Sequence, residues 1–92
     1  MQGAKTYDDI MAVVLDELAN MGYDRPKSDS DITDWFSRCD KDDTATNAPL
    51  HRVDLFLIEL RHRIDLNYTL GKSELINGDF ATPDELVKKI MI

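Results

Sequence analysis

Apolar residues that recur every three or four positions are the feature that most constrains how this chain can fold. Such spacing places them along one side of an α-helix, where they can be buried together. The pattern runs through residues 6–21, again through 50–64, and a last time after Thr82. No segment alternates apolar with polar residues as a half-buried strand would, so we predict an all-α fold. Three main helices with one or two short ones would form a small bundle.

Residues with known terminal preferences mark the ends of these three helices. Thr6 can cap the first helix, and Gly22 can supply the left-handed residue that stops it. Asn47 offers a cap for the central helix, with Pro49 in its first turn. The segment Thr82-Pro83-Asp84-Glu85 combines a cap, a first-turn proline and a glutamate that can bond back toward the cap.

The segments between the first and central helices carry weaker signals. We predict a loop over residues 23–30, followed by a short helix over 32–38 that Ser30 or Asp31 would cap. The stretch CDKDDTATNA at 39–48 is small and polar with nothing to bury. It therefore predicts an exposed loop.

Beyond the central helix, we predict a turn over 65–71 and one or two helical turns over 72–77, which Gly78 would end. The chain contains no repeat of roughly 20–50 residues. Its 92 residues are the size of a single domain. We therefore expect residues 1–92 to build one core.

Charge and composition exclude several classes of function. Eighteen Asp+Glu against eleven Lys+Arg give a formal net charge of −7, which repels phosphate backbones and anionic lipids. We therefore expect neither nucleic acid nor a membrane as a partner, and no apolar stretch reaches the roughly 18 residues that a membrane helix needs. A lone Cys39 cannot form an internal disulfide, and residues 1–9 lack a basic region followed by an apolar run. A cytoplasmic monomer is expected.

Two segments, LHRVDLFLIELRHRIDLNY at 50–68 and FATPDELVKKI at 80–90, are similar to the second and last helices of acyl carrier proteins. The order of the predicted parts resembles that family as well: a long first helix, a long connection, a second main helix, a short third helix and a last helix. The resemblance implies an acyl-carrier-like bundle that takes part in fatty-acid, polyketide or related metabolism.

In that family a serine in an Asp-Ser-Leu triplet opens the second helix and carries the phosphopantetheine arm. Here the place of the triplet is taken by Ala48-Pro49-Leu50, and proline has no hydroxyl to modify. We therefore expect no cofactor, and a non-catalytic module that works through protein contacts. The resemblance implies partners among acyl-transfer or synthase enzymes, contacted through Leu50, Arg52, Val53 and Phe56.

Two alternatives stay open. In the first, the chain is a functional carrier whose 4′-phosphopantetheine is attached at a displaced serine, Ser30 or Ser37. Ser30 is more simply explained as a helix cap, and Ser37 as a polar residue of a short helix. In the second, the chain is an unrelated small helical adaptor or regulatory protein that shares only the geometry of the bundle.

Metal and nucleophile chemistry have little support from the residue spacing. The acidic run at 40–43 does not match a calcium loop, because the required glycine and final acid positions are Ala45 and His51. Cys39 with His51 and His62 supplies too few ligands for a closed zinc site. No motif frames Cys39 as a nucleophile, so we expect no metal and no enzyme activity.

Basic residues cluster near the two ends of the central helix. Our favoured interpretation is an exposed polar face, with cations placed well at the helix C-terminus, and the alternative is a docking strip for an acidic partner. Glu59 precedes Arg63 by four residues, which predicts an ion pair along the helix. The cluster consists of His51, Arg52, Arg61, His62 and Arg63.

Overall fold

A computed structural model describes residues 6–64 and 70–91 of the chain. Within those ranges it contains five helices and no strand, so the predicted all-α fold is confirmed. None of these helices is long and apolar enough to cross a membrane. The helices are α1 (Tyr7–Asn20), α2 (Thr33–Ala45), α3 (Arg52–Arg63), α4 (Lys72–Asn77) and α5 (Pro83–Ile90).

The local signals at the ends of α1 and α5 act as predicted. The Thr6 hydroxyl accepts a hydrogen bond from the backbone N–H of Asp9 at 3.1 Å, and Gly22 follows α1 with a φ of +103°. The Thr82 hydroxyl accepts from the backbone N–H of Glu85 at 3.3 Å. The Glu85 carboxylate in turn accepts from the backbone of Ala81 at 2.7 Å, which fixes the entry of the chain into α5.

The prediction of an exposed loop over residues 39–48 is wrong for most of that segment. The helix expected over 32–38 instead starts at Thr33 and continues to Ala45. Phe36, Cys39 and Asp43 are its buried residues, three and four positions apart on one face. The polar run was predicted to have nothing to bury, yet it contributes a core thiol and a buried carboxylate.

The predicted start of the central helix is also wrong. Asn47 does not cap α3 but takes a left-handed φ of +52° just after α2 ends. Pro49 lies exposed in the connection, ahead of the helix, and His51 is the N-cap residue of α3. No side chain of this connection caps α3 itself, so its first amides need an acceptor from another part of the fold.

Helix α3 lies at the centre of the packing. It contacts α1, α2 and α4, while α5 packs on α1. The rings of Phe36 on α2 and Phe56 on α3 meet edge to face with their centroids 5.2 Å apart. The largest fully buried side chains come from all five helices and their connections: Phe36, Phe56, Leu18, Ile32, Leu60, Leu70, Leu75, Leu86, Ile90, Val14, Val53 and Val87.

The predicted loop over residues 23–30 is confirmed. Hydrogen bonds link the end of this connection to the segment between α4 and α5 and to the first turn of α5. The backbone N–H of Ile32 donates to the carbonyl of Ala81, and that of Asp84 donates to the carbonyl of Ser28, both at 2.9 Å. The predicted helix over 72–77 is also confirmed, with Gly78 following it at a φ of +84°. Residues 65–69 of the predicted turn lie outside the described residues.

Candidate partner-binding surface

Asp43 of α2 supplies the acceptor that the start of α3 lacks. Its Oδ2 accepts a hydrogen bond from the backbone N–H of Arg52 at 2.7 Å, so the carboxylate caps α3 from a neighbouring helix. The same carboxylate accepts from Arg52 Nε and pairs with Arg52 Nη2 at 3.1 Å. A two-pronged contact of this kind fixes both the distance and the angle between the end of α2 and the start of α3.

The electrostatics of this contact agree with its geometry. The hydrogen bonds from the Arg52 side chain and backbone lower the pKa of Asp43 below its usual value, although burial acts in the opposite direction. The hydrogen bond to Asp43 raises the pKa of Arg52. Both groups are therefore charged at neutral pH, and the positive charge of Arg52 is neutralised within the protein.

At the other end of α3, Arg63 is bound to α1. Its Nη1 lies 2.6 Å from Asp16 Oδ2 and 2.7 Å from Glu17 Oε2. The hydrogen bonds to Glu17 and Asp16 raise the pKa of Arg63. The predicted pair between Glu59 and Arg63 does not form, because the guanidinium turns away from its own helix. Glu59 is left exposed with no ion pair among the described residues.

Two further basic side chains, Lys72 and Arg61, also pair with acceptors inside the fold. Lys72 of α4 lies 3.3 Å from Asp40 on α2 and 3.4 Å from Asp54 on α3. Burial acts to lower the pKa of Lys72, but hydrogen bonding to Asp40 and the charge of Asp54 outweigh it and leave that pKa raised. Arg61 donates to the carbonyl of Leu70 at 2.9 Å.

The predicted exposed polar face is thus found only in part: Arg61 and His62 are exposed, whereas His51, Arg52 and Arg63 are half-buried. Arg52, Arg61 and Arg63 each hold α3 to another part of the fold. His62 is exposed, whereas the Nδ1 atom of His51 is buried and has no hydrogen-bond partner among the described residues. The exposed apolar side chains of α3 are therefore the remaining candidates for a contact surface on this helix.

Such side chains are the exposed apolar residues on the outer side of α3. Leu55 is 37% exposed and Ile58 43% exposed, one helical turn apart. Beside them a groove of about 350 Å³ separates α3 from the end of α1, and the nearly buried Met21 and Phe56 form its apolar floor. We call Leu55, Ile58, Glu59 and this groove the α3 surface. Glu59 lies at the rim of the groove.

The four residues predicted to contact a partner are separated by the fold. Leu50 is 66% exposed ahead of α3, while Val53 has no exposed surface and packs in the core. Arg52 is bound to Asp43 and also lines the groove. Phe56 is 2% exposed but lines the groove. Sequence reasoning did not select Leu55 or Ile58 as candidate contact residues.

The candidate attachment serines have modest local roles. The Ser30 hydroxyl accepts from the backbone N–H of Lys27 at 2.8 Å, so it closes a turn and does not cap α2. Asp31 instead accepts from the backbone N–H of Thr33 at 3.1 Å. Ser37 is half-buried on α2, and Pro49 is exposed.

The residues considered for metal or nucleophile chemistry belong to the packing. Asp40 and Asp43 form ion pairs, and Cys39 is 2% exposed in the core. Burial raises the pKa of the Cys39 thiol, which keeps it protonated at neutral pH. In the part of the chain that the structure describes, no three His, Cys, Asp or Glu side chains converge where they could hold a metal ion.

Comparison with known proteins identifies no family for this chain. The chain matches no protein-family model, no curated protein and no solved structure.

Proposed function

We propose that the protein is a non-catalytic, acyl-carrier-like interaction module that binds a partner protein through the α3 surface, with α2 (Thr33–Ala45) as an additional helix in the connection between α1 and α3. The observation that carries the proposal is the exposed pair Leu55 and Ile58 beside a groove with an apolar floor. Apolar side chains gathered on one helix face favour burial against a partner. In the acyl carrier family, the helix that corresponds to α3 is the one that meets partner enzymes.

The charges around this surface favour a partner with basic residues at the rim of an apolar patch. Read from the sequence, α3 appears basic, but Asp43 neutralises Arg52, and Asp16 and Glu17 neutralise Arg63. Glu59, which lines the groove, has no paired cation within residues 6–64 and 70–91. A lysine or arginine of the partner placed opposite Glu59 would speed association and fix the orientation of the complex.

Photo-crosslinking followed by reconstitution tests this proposal. A photoreactive phenylalanine analogue is placed at position 55 or 58 in cells that express the protein, and at position 12 as a control, since Ala12 is exposed on α1 away from the groove. We expect positions 55 and 58, and not 12, to give one shared adduct. The adduct protein is then purified and its affinity for the unmodified chain is measured by calorimetry.

The variants make the second stage decisive. Leu55→Asp and Glu59→Lys should each weaken binding about tenfold or more, which corresponds to about 1.4 kcal/mol, while Ala12→Asp leaves binding unchanged. The proposal fails if the adduct forms equally well at position 12, or if the purified partner binds Leu55→Asp as tightly as the original chain.

The absence of a prosthetic arm is tested separately by intact mass. The chain is incubated with coenzyme A and a permissive phosphopantetheinyl transferase, and we expect its mass to remain unchanged because Pro49 has no hydroxyl. A stoichiometric gain of one phosphopantetheine that Ser30→Ala or Ser37→Ala abolishes would replace this proposal with that of a working carrier.

A further inference from the structure

A second cavity of about 380 Å³ lies where the connection after α1 passes the outer side of α2. Its walls are aromatic: the rings of Tyr23 and Trp35 meet edge to face, with centroids 5.3 Å apart and planes at 75°. The Tyr23 hydroxyl donates to the backbone carbonyl of Asp31 at 3.0 Å, which holds this ring in place. We call this cavity the aromatic cleft.

One cation of the protein already uses part of this cleft. The guanidinium carbon of Arg38 lies 5.9 Å from the centre of the Trp35 ring, at the outer limit of a cation–π contact. Arg38 Nε also lies 3.0 Å from Asp34, and both side chains remain well exposed, at 64% and 73%. The contact is therefore weak, and a competing cation can displace it.

Two more carboxylates line the cleft without a cation. Asp24 and Asp31 form no ion pair within residues 6–64 and 70–91, although Asp31 accepts the backbone bond from Thr33. Aromatic walls with carboxylates at the rim are the combination that binds a guanidinium, because the ring faces attract the planar cation while the carboxylates neutralise it. Arg38 already places one guanidinium near the Trp35 ring.

We propose that the aromatic cleft binds an arginine side chain presented by an extended segment of a partner protein. Arg38 then acts as an internal occupant that the incoming arginine displaces from Trp35 and Asp34. The cleft begins at Gly22, next to Met21 of the groove, so a single partner could reach both sites. The cleft does not depend on the α3 surface, and its test uses different residues.

Trp35 is the only tryptophan of the chain, so its fluorescence reports on the cleft directly. The probe is an acetylated and amidated Gly-Arg-Gly-Arg-Gly peptide, and its control is the same peptide with citrulline, which keeps the shape of arginine without the charge. We expect a saturable change in Trp35 emission with the arginine peptide only. An equal response to citrulline, or no response to either peptide, overturns the proposal.

Matched charge variants separate a specific site from the general acidity of the chain. Asp24→Asn should weaken binding about threefold, while Asp29→Asn, an exposed acid of the same connection outside the cleft, should have no effect. Arg38→Gln should strengthen binding about threefold because it empties the ring face and frees Asp34.

The control for Arg38→Gln is Lys41→Gln, which removes a positive charge from the exposed side of the same helix. It should leave the affinity unchanged. If Lys41→Gln strengthens binding as much as Arg38→Gln, or Asp29→Asn weakens it as much as Asp24→Asn, then the peptide senses only net charge and the cleft is not a site. Far-ultraviolet circular dichroism confirms that each variant is folded.

Discussion

Replacing Asp43 by alanine should destabilise the protein far more than its place in a polar run would suggest. The carboxylate is 7% exposed, caps the first amide of α3 and binds the Arg52 guanidinium. Alanine removes both contacts at once. The backbone N–H of Arg52 then has no acceptor, because no side chain of the connection before α3 caps this helix.

The size of the effect follows from the two roles of the carboxylate. Loss of a helix cap costs about 1 kcal/mol. Loss of the contact with the Arg52 side chain costs about 1 kcal/mol more, a value kept low because that side chain is 37% exposed and water can solvate it. We therefore expect the free energy of unfolding to fall by roughly 2 kcal/mol, which lowers Tm by roughly 10 °C in a chain of this size.

Urea denaturation followed by circular dichroism measures this change, with Asp42→Ala as the matched control. Asp42 is the exposed neighbour of Asp43, and its replacement should alter stability by less than about 0.5 kcal/mol. If both variants unfold at the same urea concentration, or if Asp43→Ala unfolds with the original chain, then the carboxylate does not hold α2 to α3.

The same carboxylate predicts how the difference depends on pH. Because folding lowers the pKa of Asp43, its contribution is complete above the unfolded value of 3.8 and is lost as the pH falls through the lower folded value. The gap in stability between the original chain and Asp43→Ala should thus be full at pH 6 and shrink below about pH 4. A gap that grows on acidification would refute the assigned ion pair.

Three further predictions concern other parts of the fold. Gly78→Ala should lower the free energy of unfolding, measured by thermal denaturation, by about 2 kcal/mol, because Gly78 has a φ of +84° and a Cβ there would lie 2.8 Å from Thr33 Cγ2. In a Thr33→Ser background, which lacks Cγ2, part of this loss should be recovered. Cys39 should react with a thiol reagent at pH 8 only as fast as the protein opens, whereas rapid labelling of the native chain would contradict its burial. Tyr7 donates a hydrogen bond to Asp84, and this bond together with burial raises the pKa of Tyr7. The contribution of Tyr7 to stability is therefore complete below pH 10 and is lost as the pH rises through the folded pKa. Tyr7→Phe should abolish that part of the alkaline loss of stability in pH-dependent denaturation.

The sequence predicted α1 and α5 well because their signals are local. Thr6 and Thr82 bond to amides three residues away, so the residues that make each cap are neighbours in the chain. The buried residues of these helices are also apolar, except for Glu17 of α1, which pairs with Arg63. The ends of these two helices therefore depend little on tertiary contacts, and the predicted bounds lie within one or two residues of the observed ones.

The second half of α2 was missed because its role is tertiary. Asp43 is buried only because α3 brings Arg52 to it, and Asp40 is paired only because α4 brings Lys72. One usable signal was present: Cys39 continues the stripe that begins at Phe36 at helical spacing. Counting that thiol as an apolar residue would have extended the predicted helix.

The α3 surface could be predicted only in part, for a related reason. Helical spacing favoured α3 as the central helix, but it could not reveal that Val53 is wholly buried while Ile58 is exposed. That division depends on which faces of α3 are covered by α1, α2 and α4. The start of α3 depended on Asp43, far outside the window in which a cap is sought.

Part of the excess of acids over bases in the chain has a structural role in these contacts. Acids of α1 and α2 hold bases of α3 and α4, as in the contacts of Asp43 with Arg52 and of Asp40 with Lys72. Charges paired in this way are neutralised within the protein and leave little net charge for a partner to recognise. In the part of the chain that the structure describes, Glu59, Asp24 and Asp31 have no such ion pair, and each lines a cavity together with apolar or aromatic side chains. Under the two proposals made above, these carboxylates would select partners whose contact surfaces are basic, through the rate and orientation of association.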